Sequence, residues 1–180
     1  MMSAGTTTCT TRNLSLIHIF EHQDSMGNHG VVKSGGVQFM SAGTGVRHSE
    51  FNARKDSELH LVQMWVLPGR TGTPPTYGQM DFTQDDRLND WLTVASGEPN
   101  VDAPIKLTQV ATLRVMRLEN RALRHTFQPR RFGFLFAGPG SDFSVNGEAL
   151  RPGDAVRTYD IERLELQGNG EVVLWDLPAA

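Results

Sequence analysis

A chain of 180 residues is long enough for one ordinary domain or two small ones, and a fold of this size buries roughly 70% of its unfolded surface, so a real core is expected. Its 17 Lys and Arg against 20 Asp and Glu leave a net charge of -3 without blocks of either sign, which excludes a basic stripe for nucleic acid or for an anionic membrane. The single cysteine, Cys9, excludes an intrachain disulfide and fits a reducing, cytoplasmic setting, and no apolar run approaches the roughly 20 residues that span a bilayer.

In chain order, the opening stretch MMSAGTTTCTTRNLSLIHIF has no basic segment followed by a clean apolar one, so no signal peptide is predicted. The sequon at Asn13, Leu14 and Ser15 then has no secretory context and reads as coincidence. The stretch from Glu21 to Phe51 ends in a strand-like run with His48 and Glu50 two positions apart. Side chains at i and i+2 of a strand project the same way, and in a closed barrel the inward face is where a metal can sit. An imidazole and a carboxylate there are half of a metal site, although such a pair on a strand is more often a solvated polar face.

Further along, Leu59, Leu61, Gln63, Trp65 and Leu67 share one face and His60, Val62, Met64 and Val66 the other, which predicts a strand buried on both sides. The Pro- and Gly-rich residues 68–75 and the acidic stretch Asp81 to Asp90 read as a connector. Trp91 to Ser96 reads as a short strand and Gly97 to Pro104 as a loop, with a domain boundary near Pro104. Beyond it, Leu113, Val115 and Arg117 alternate with Arg114, Met116 and Leu118, and Phe132, Phe134 and Phe136 line one face of a later strand. Asn146-Gly147 predicts a hairpin, Pro152-Gly153-Asp154 a tight turn, and Asn169-Gly170 a turn between the last two strands.

Short apolar runs at a period of two predict an all-β chain. Gly turns that enter strands at Ser34-Gly35-Gly36 and again at Pro152-Gly153-Asp154 suggest two related barrels. Gly43 and Gly45 look like a phosphate-cradling loop but lack the lysine and helix such a site requires, so they read as turn glycines, as do Gly138 and Gly140. His125 beside Phe127 has no carboxylate or histidine near it in sequence and reads as structural.

The segments EHQDSMGN, SAGTGVRHSE and LHLVQMWVLP, followed by FSVNGEALRPGDAV and a closing LELQGNGEVVLWDLP, resemble the pirin family of bicupins, and most closely its bacterial quercetin 2,3-dioxygenase-like branch. The resemblance runs from Glu21 to the C-terminus. It implies two cupin barrels of the jelly-roll type in tandem, 21–104 and 105–180, after an anomalous segment 1–20. It also implies that the first barrel holds one divalent metal, usually iron, through three histidines and one glutamate, of which His48 and Glu50 match two. The family's other two ligands form an HxH pair that, counted back without gaps, falls at Met2 and Ala4, and the HPH and TYVLEG signatures are absent from residues 1–20.

Three accounts of that departure stand: a truncated chain with a replaced N-terminus, a misassembled reading frame, or a site with new ligands. His18 and His22 are the nearest candidates for new ligands, although His22 belongs to the family's EHQDSMGN segment and is not a ligand there. Two protein ligands leave most of the coordination to water, so the metal is expected at reduced affinity or not at all. A first barrel incomplete at its N-terminus is also expected to have unpaired strand edges, which invite self-association.

The activity implied by the resemblance is oxygenative ring opening of a small aromatic, flavonol-like substrate with release of carbon monoxide. The metal would act as Lewis acid and template, Glu50 would accept the substrate's hydroxyl proton, and His48 would bind as a neutral imidazole. The alternative is a non-catalytic regulatory or protein-binding module.

Overall fold

The structure is a computed structural model that describes residues 10–17 and 20–179, with side chains from Phe20 to Ala179. Met2, Ala4, Cys9 and His18 lie outside the described residues, and so do the expectations placed on them. Within that range the chain forms fifteen strands and one 3-10 turn, Asp85–Arg87. No helix among the described residues is long and apolar enough to cross a membrane.

The chain divides into two compact units between Thr83 and Gln84. The first contains β1 (Thr10–Ile17), β2 (Phe20–Asp24), β3 (His29–Val32), β4 (Val37–Ser41), β5 (His48–Asn52), β6 (His60–Val66) and β7 (Thr76–Met80). They form a four-stranded sheet in the order β6-β1-β4-β7 and a three-stranded sheet in the order β3-β2-β5. Residues 10–17, part of the segment that reads as anomalous in sequence, thus supply an inner strand that pairs with both β4 and β6. The period of two is legible in β2, where Phe20, His22 and Asp24 are buried and Glu21 and Gln23 are not.

The turn after β2 is built by Asp24, whose Oδ1 accepts the backbone N–H of Met26 at 2.9 Å and of Asn28 at 3.0 Å. Gly27 supplies the left-handed residue the turn needs, at φ 89°. Phe20, Val32, Val37 and Met40 fill the interior. The strand expected to be buried on both faces is not: in β6 Met64 is buried, but Trp65 is 58% exposed and Leu67, just beyond the strand, 72%. Gln63 and Trp65 on one row of β6 are exposed while Met64 on the other is buried, so the strand is covered on one face only.

The second unit contains β8 (Leu92–Ser96), β9 (Ile105–Lys106), β10 (Thr112–Thr126), β11 (Phe132–Ala137), β12 (Asp142–Val145), β13 (Glu148–Leu150), β14 (Ala155–Tyr159) and β15 (Arg163–Leu177). Its main path runs β13-β12-β15-β10-β8-β9, with β11 pairing β14 and β15. The division at Thr83 and Gln84 lies earlier than the boundary read near Pro104, because β8 pairs with β10 and buries Val94 and Ala95 in this unit.

Asn169-Gly170 does not separate two strands but lies inside the continuous β15, where Gly168 and Gly170 adopt φ 135° and 142° and bend the strand instead of ending it. A Cβ at Gly168 would collide with the Asp142 carbonyl, so the bend requires glycine. The hairpin read at Asn146-Gly147 does form, with both residues left-handed at φ 49° and 88° between β12 and β13. Phe132, Phe134 and Phe136 share a face of β11, but it is the opposite face, Gly133, Leu135 and Ala137, that is buried. Leu135 packs there with Met116, Leu118, Leu164, Leu166 and Leu174.

Candidate functional site

The register of β2 against β5 sets His22 opposite Glu50 and Asp24 opposite His48. Four polar side chains therefore occupy two alternate rungs, on one face of the three-stranded sheet. The other sheet of the unit faces them with Gln38 from β4 and Tyr77 and Gln79 from β7, on the rungs Gln38–Gln79 and Met40–Tyr77. Of these residues, sequence alone points to His48, Glu50 and His22, while Asp24, Gln38, Tyr77 and Gln79 join them only in the fold. A polar residue within the apolar run Val37-Gln38-Phe39-Met40 was the available signal for Gln38.

His48 and Glu50 are brought together, with Nε2 and Oε1 4.0 Å apart and side chains 25% and 16% exposed, so this end of the face opens to solvent. The Gln38 amide donates to Glu50 Oε1 at 2.8 Å. His22 is fully buried, its ring stacked on Tyr77 at 4.4 Å between centroids and on His48 at 5.7 Å. Its Nε2 lies 3.4 Å from Asp24 Oδ2, and its Nδ1 is buried with no hydrogen-bond partner. Burial lowers the pKa of His22 against the opposing pull of Asp24, which keeps the ring a neutral imidazole with the Nε2 proton directed at the carboxylate.

Burial would raise Asp24, but the hydrogen bonds from the Asn28 side chain, the Asn28 and Met26 backbone and His22 outweigh it and hold the carboxyl below its ordinary value. Tyr77 is pushed up to about 12 by burial and then by the charges of Asp24 and Glu50, so it stays a phenol. Its hydroxyl reaches Gln79 Oε1 at 3.1 Å and Gln38 Oε1 at 3.4 Å. Gly30, on the rung beside His22, makes room for this arrangement: a Cβ there would collide with the Tyr77 hydroxyl and Gln79.

As a metal centre the face is half complete. His48 and Glu50 have the donor types the family uses, but no group of three or more His, Cys, Asp or Glu that could hold a metal exists among the described residues. His22 does not form such a group with them: its Nε2 is turned toward Asp24 and its Nδ1 is buried without a hydrogen-bond partner. His125, in the second unit, has a partner that local sequence did not reveal: Asp176 Oδ2 lies 3.8 Å from its Nε2. That carboxylate is already held by Arg131 Nε at 2.6 Å and flanked by Arg114 at 3.7 Å, so His125 belongs to an ion-pair network and not to a metal pair.

Residues 13–66 match the family model for pirin and residues 93–177 that for the quercetinase C-terminal cupin domain. A Mycobacterium tuberculosis protein provisionally named a quercetin 2,3-dioxygenase is 38% identical over 161 residues, 88% of this chain and 66% of that protein. The quercetin 2,3-dioxygenase of Escherichia coli K12 is 34% identical over 161 residues, 88% of this chain and 68% of that protein. The chain thus spans about two thirds of the length of these relatives. A crystal structure of YhhW from Escherichia coli superposes with a TM-score of 0.85 at 30% identity, covering 96% of this chain and 73% of that one. A structure of the bacterial pirin YhhW in complex with nickel(II) superposes at 0.84 and 29% identity, covering 96% and 74%. With both cupin domains matched in order, the chain belongs to the pirin family of bicupins, in its bacterial quercetin 2,3-dioxygenase-like branch.

Proposed function

We propose that the protein is a metal-dependent oxygenase of flavonol-like substrates acting in the cytoplasm, with His48 and Glu50 as two ligands of a divalent ion, iron by family habit, and Glu50 as proton acceptor. The observation that carries this reading is the pairing of His48 with a Glu50 carboxylate fixed by a buried amide, on an open inner face. The relatives' names and the nickel-containing pirin structure support the reaction class and the divalent ion. When bound, such an ion supplies Lewis acidity and a template for an acidic hydroxyl. Among the described residues His48 and Glu50 would hold it, and no group of three such donors stands there.

What this chain's residues do is more specific. Glu50, held through Oε1 by Gln38, is placed to take the proton of a substrate hydroxyl entering from the open side. His48 stands beside it as the imidazole donor, and the stacked His22 and Tyr77 close the inner wall against water.

One observation favours a second reading, a non-catalytic pirin-like binding module: the shortage of donors just described. Metal analysis of the purified protein together with flavonol consumption under oxygen separates the two. Stoichiometric metal and turnover, with Glu50→Gln abolishing turnover and His48→Ala lowering metal content, is the expected result. Protein that takes up no divalent metal and leaves the flavonol untouched would establish the module instead.

A further inference from the structure

Both candidate ligands are linked to the opposite sheet, Glu50 directly and His48 through His22 of its own sheet, and the two links meet at one residue. Gln38 is 1% exposed, and its amide donates to Glu50 Oε1 at 2.8 Å. Its orientation follows from chemistry, since an ionised carboxylate only accepts, so the NH₂ group faces Glu50 and the amide oxygen faces Tyr77. Gln79 is oriented in the same way: its Nε2 donates to the Val31 carbonyl at 3.2 Å, which leaves Oε1 toward the Tyr77 hydroxyl. The phenol therefore stands between two acceptors, at 3.1 Å and 3.4 Å, and shares its single proton between them. The other arm runs through the rings, from Tyr77 to His22 at 4.4 Å and 12° between planes, and from His22 to His48 at 5.7 Å and 25°.

We propose that Tyr77 and Gln38 are positioning residues that set Glu50 and His48 as one unit, the Tyr77 hydroxyl acting through Gln38 on the carboxylate and the Tyr77 ring acting through His22 on the imidazole. Neither touches substrate in this scheme. Partners behind a metal ligand fix its orientation and are worth about 10- to 100-fold in metal affinity or activity. Gly30 is part of the same device, because a side chain there would push the Tyr77 hydroxyl and Gln79 out of place. The inference rests on the metal-dependent reading only for the role of the unit, not for its existence.

The two arms are separable. Tyr77→Phe removes the hydroxyl and keeps the stack, Gln38→Leu removes the amide, and Tyr77→Leu removes both ring and hydroxyl. With Ni(II) alone as probe and calorimetric titration of the whole protein, Tyr77→Phe is expected to weaken binding about tenfold. Gln38→Leu is expected to weaken it at least as much, and the double variant no more than Gln38→Leu, because the two act in series.

In the metal-free protein the Gln38 side-chain amide resonances are expected to shift in Tyr77→Phe, and the His48 ring protons to move only in Tyr77→Leu. Unchanged Gln38 amide resonances in Tyr77→Phe, or His48 protons that ignore Tyr77→Leu, would overturn the proposal whatever the metal does. If the unsubstituted protein binds no Ni(II), the metal-dependent reading fails, and the resonances of the metal-free protein still decide the positioning unit. Thermal melting of Tyr77→Phe, the mildest change, guards against a trivial loss of fold.

Discussion

Asp176 is the residue on which the polar side of the second unit turns, with Arg131 Nε at 2.6 Å from one oxygen and Arg114 and His125 at 3.7 and 3.8 Å from the other. Burial would raise its carboxyl, yet His125 and Arg131 outweigh that and hold it below the ordinary 3.8. A depressed folded-state pKa contributes stability that is present above the unfolded value and is lost as pH falls through the folded one. Glu171 has the opposite sign: burial raises it above 4.5 against Arg87, so its contribution is present below 4.5 and is lost as pH rises through its folded value. Denaturant midpoints measured across acid pH should therefore rise from strong acid toward pH 4 and then level or fall. Asp176→Asn is expected to cost about 3 kcal/mol at neutral pH, since it leaves Arg114 without its paired carboxylate and Arg131 with Glu98 alone, 2.8 Å away, and to remove the rising limb alone. An unaltered acid profile in that variant would sink the assignment.

Strands and turns follow local chemistry where the deciding contacts are local. The Asn146-Gly147 hairpin was legible because two left-handed residues in succession are what such a turn needs. The Asn169-Gly170 pair looks like a turn in sequence because the same chemistry also serves a bend inside a long strand, and only the pairing of β15 with β10 distinguishes the two. β1 was hidden for a different reason: its assignment comes from pairing with β4 and β6, strands far along the chain. At this scale Gly30→Ala is expected to cost about 1 to 3 kcal/mol by driving Tyr77 and Gln79 aside, seen as a lower denaturation midpoint with the strand content unchanged by circular dichroism. The sequence also led to an expectation of self-association, and the exposed aromatics Phe51 on β5 and Trp65 on β6, 56% and 58% exposed, are where we place it. Trp65→Lys should raise the monomer fraction in light scattering; a parent protein that is already monomeric at high concentration would end that proposal.

For the molecule as a whole, the position of the division between units has a practical consequence. A fragment from Gln84 onward keeps β8, whose Val94 and Ala95 are fully buried, and should unfold in one cooperative transition. A fragment from Ile105 onward lacks β8, exposes the side of β10 that β8 pairs, and should melt broadly or aggregate. Calorimetry of the two fragments checks this, and equal cooperativity in both would favour the boundary near Pro104.

An all-β chain and the shared face of His48 and Glu50 could be read from residues, because period-two patterning and i, i+2 spacing are properties of the chain over a few neighbours, while the tandem cupin barrels and the ligand candidacy of that pair came from the family resemblance. The positioning of that pair could not. Gln38, Tyr77 and Gln79 lie on strands of the other sheet, and their relation to Glu50 and His22 is set by which sheet faces which and in what register. The reach of Asp176 to His125 is of the same kind, a contact between residues far apart in the chain. Such contacts exist only once distant strands have paired, so sequence can name the ligand candidates while the fold alone decides what holds them.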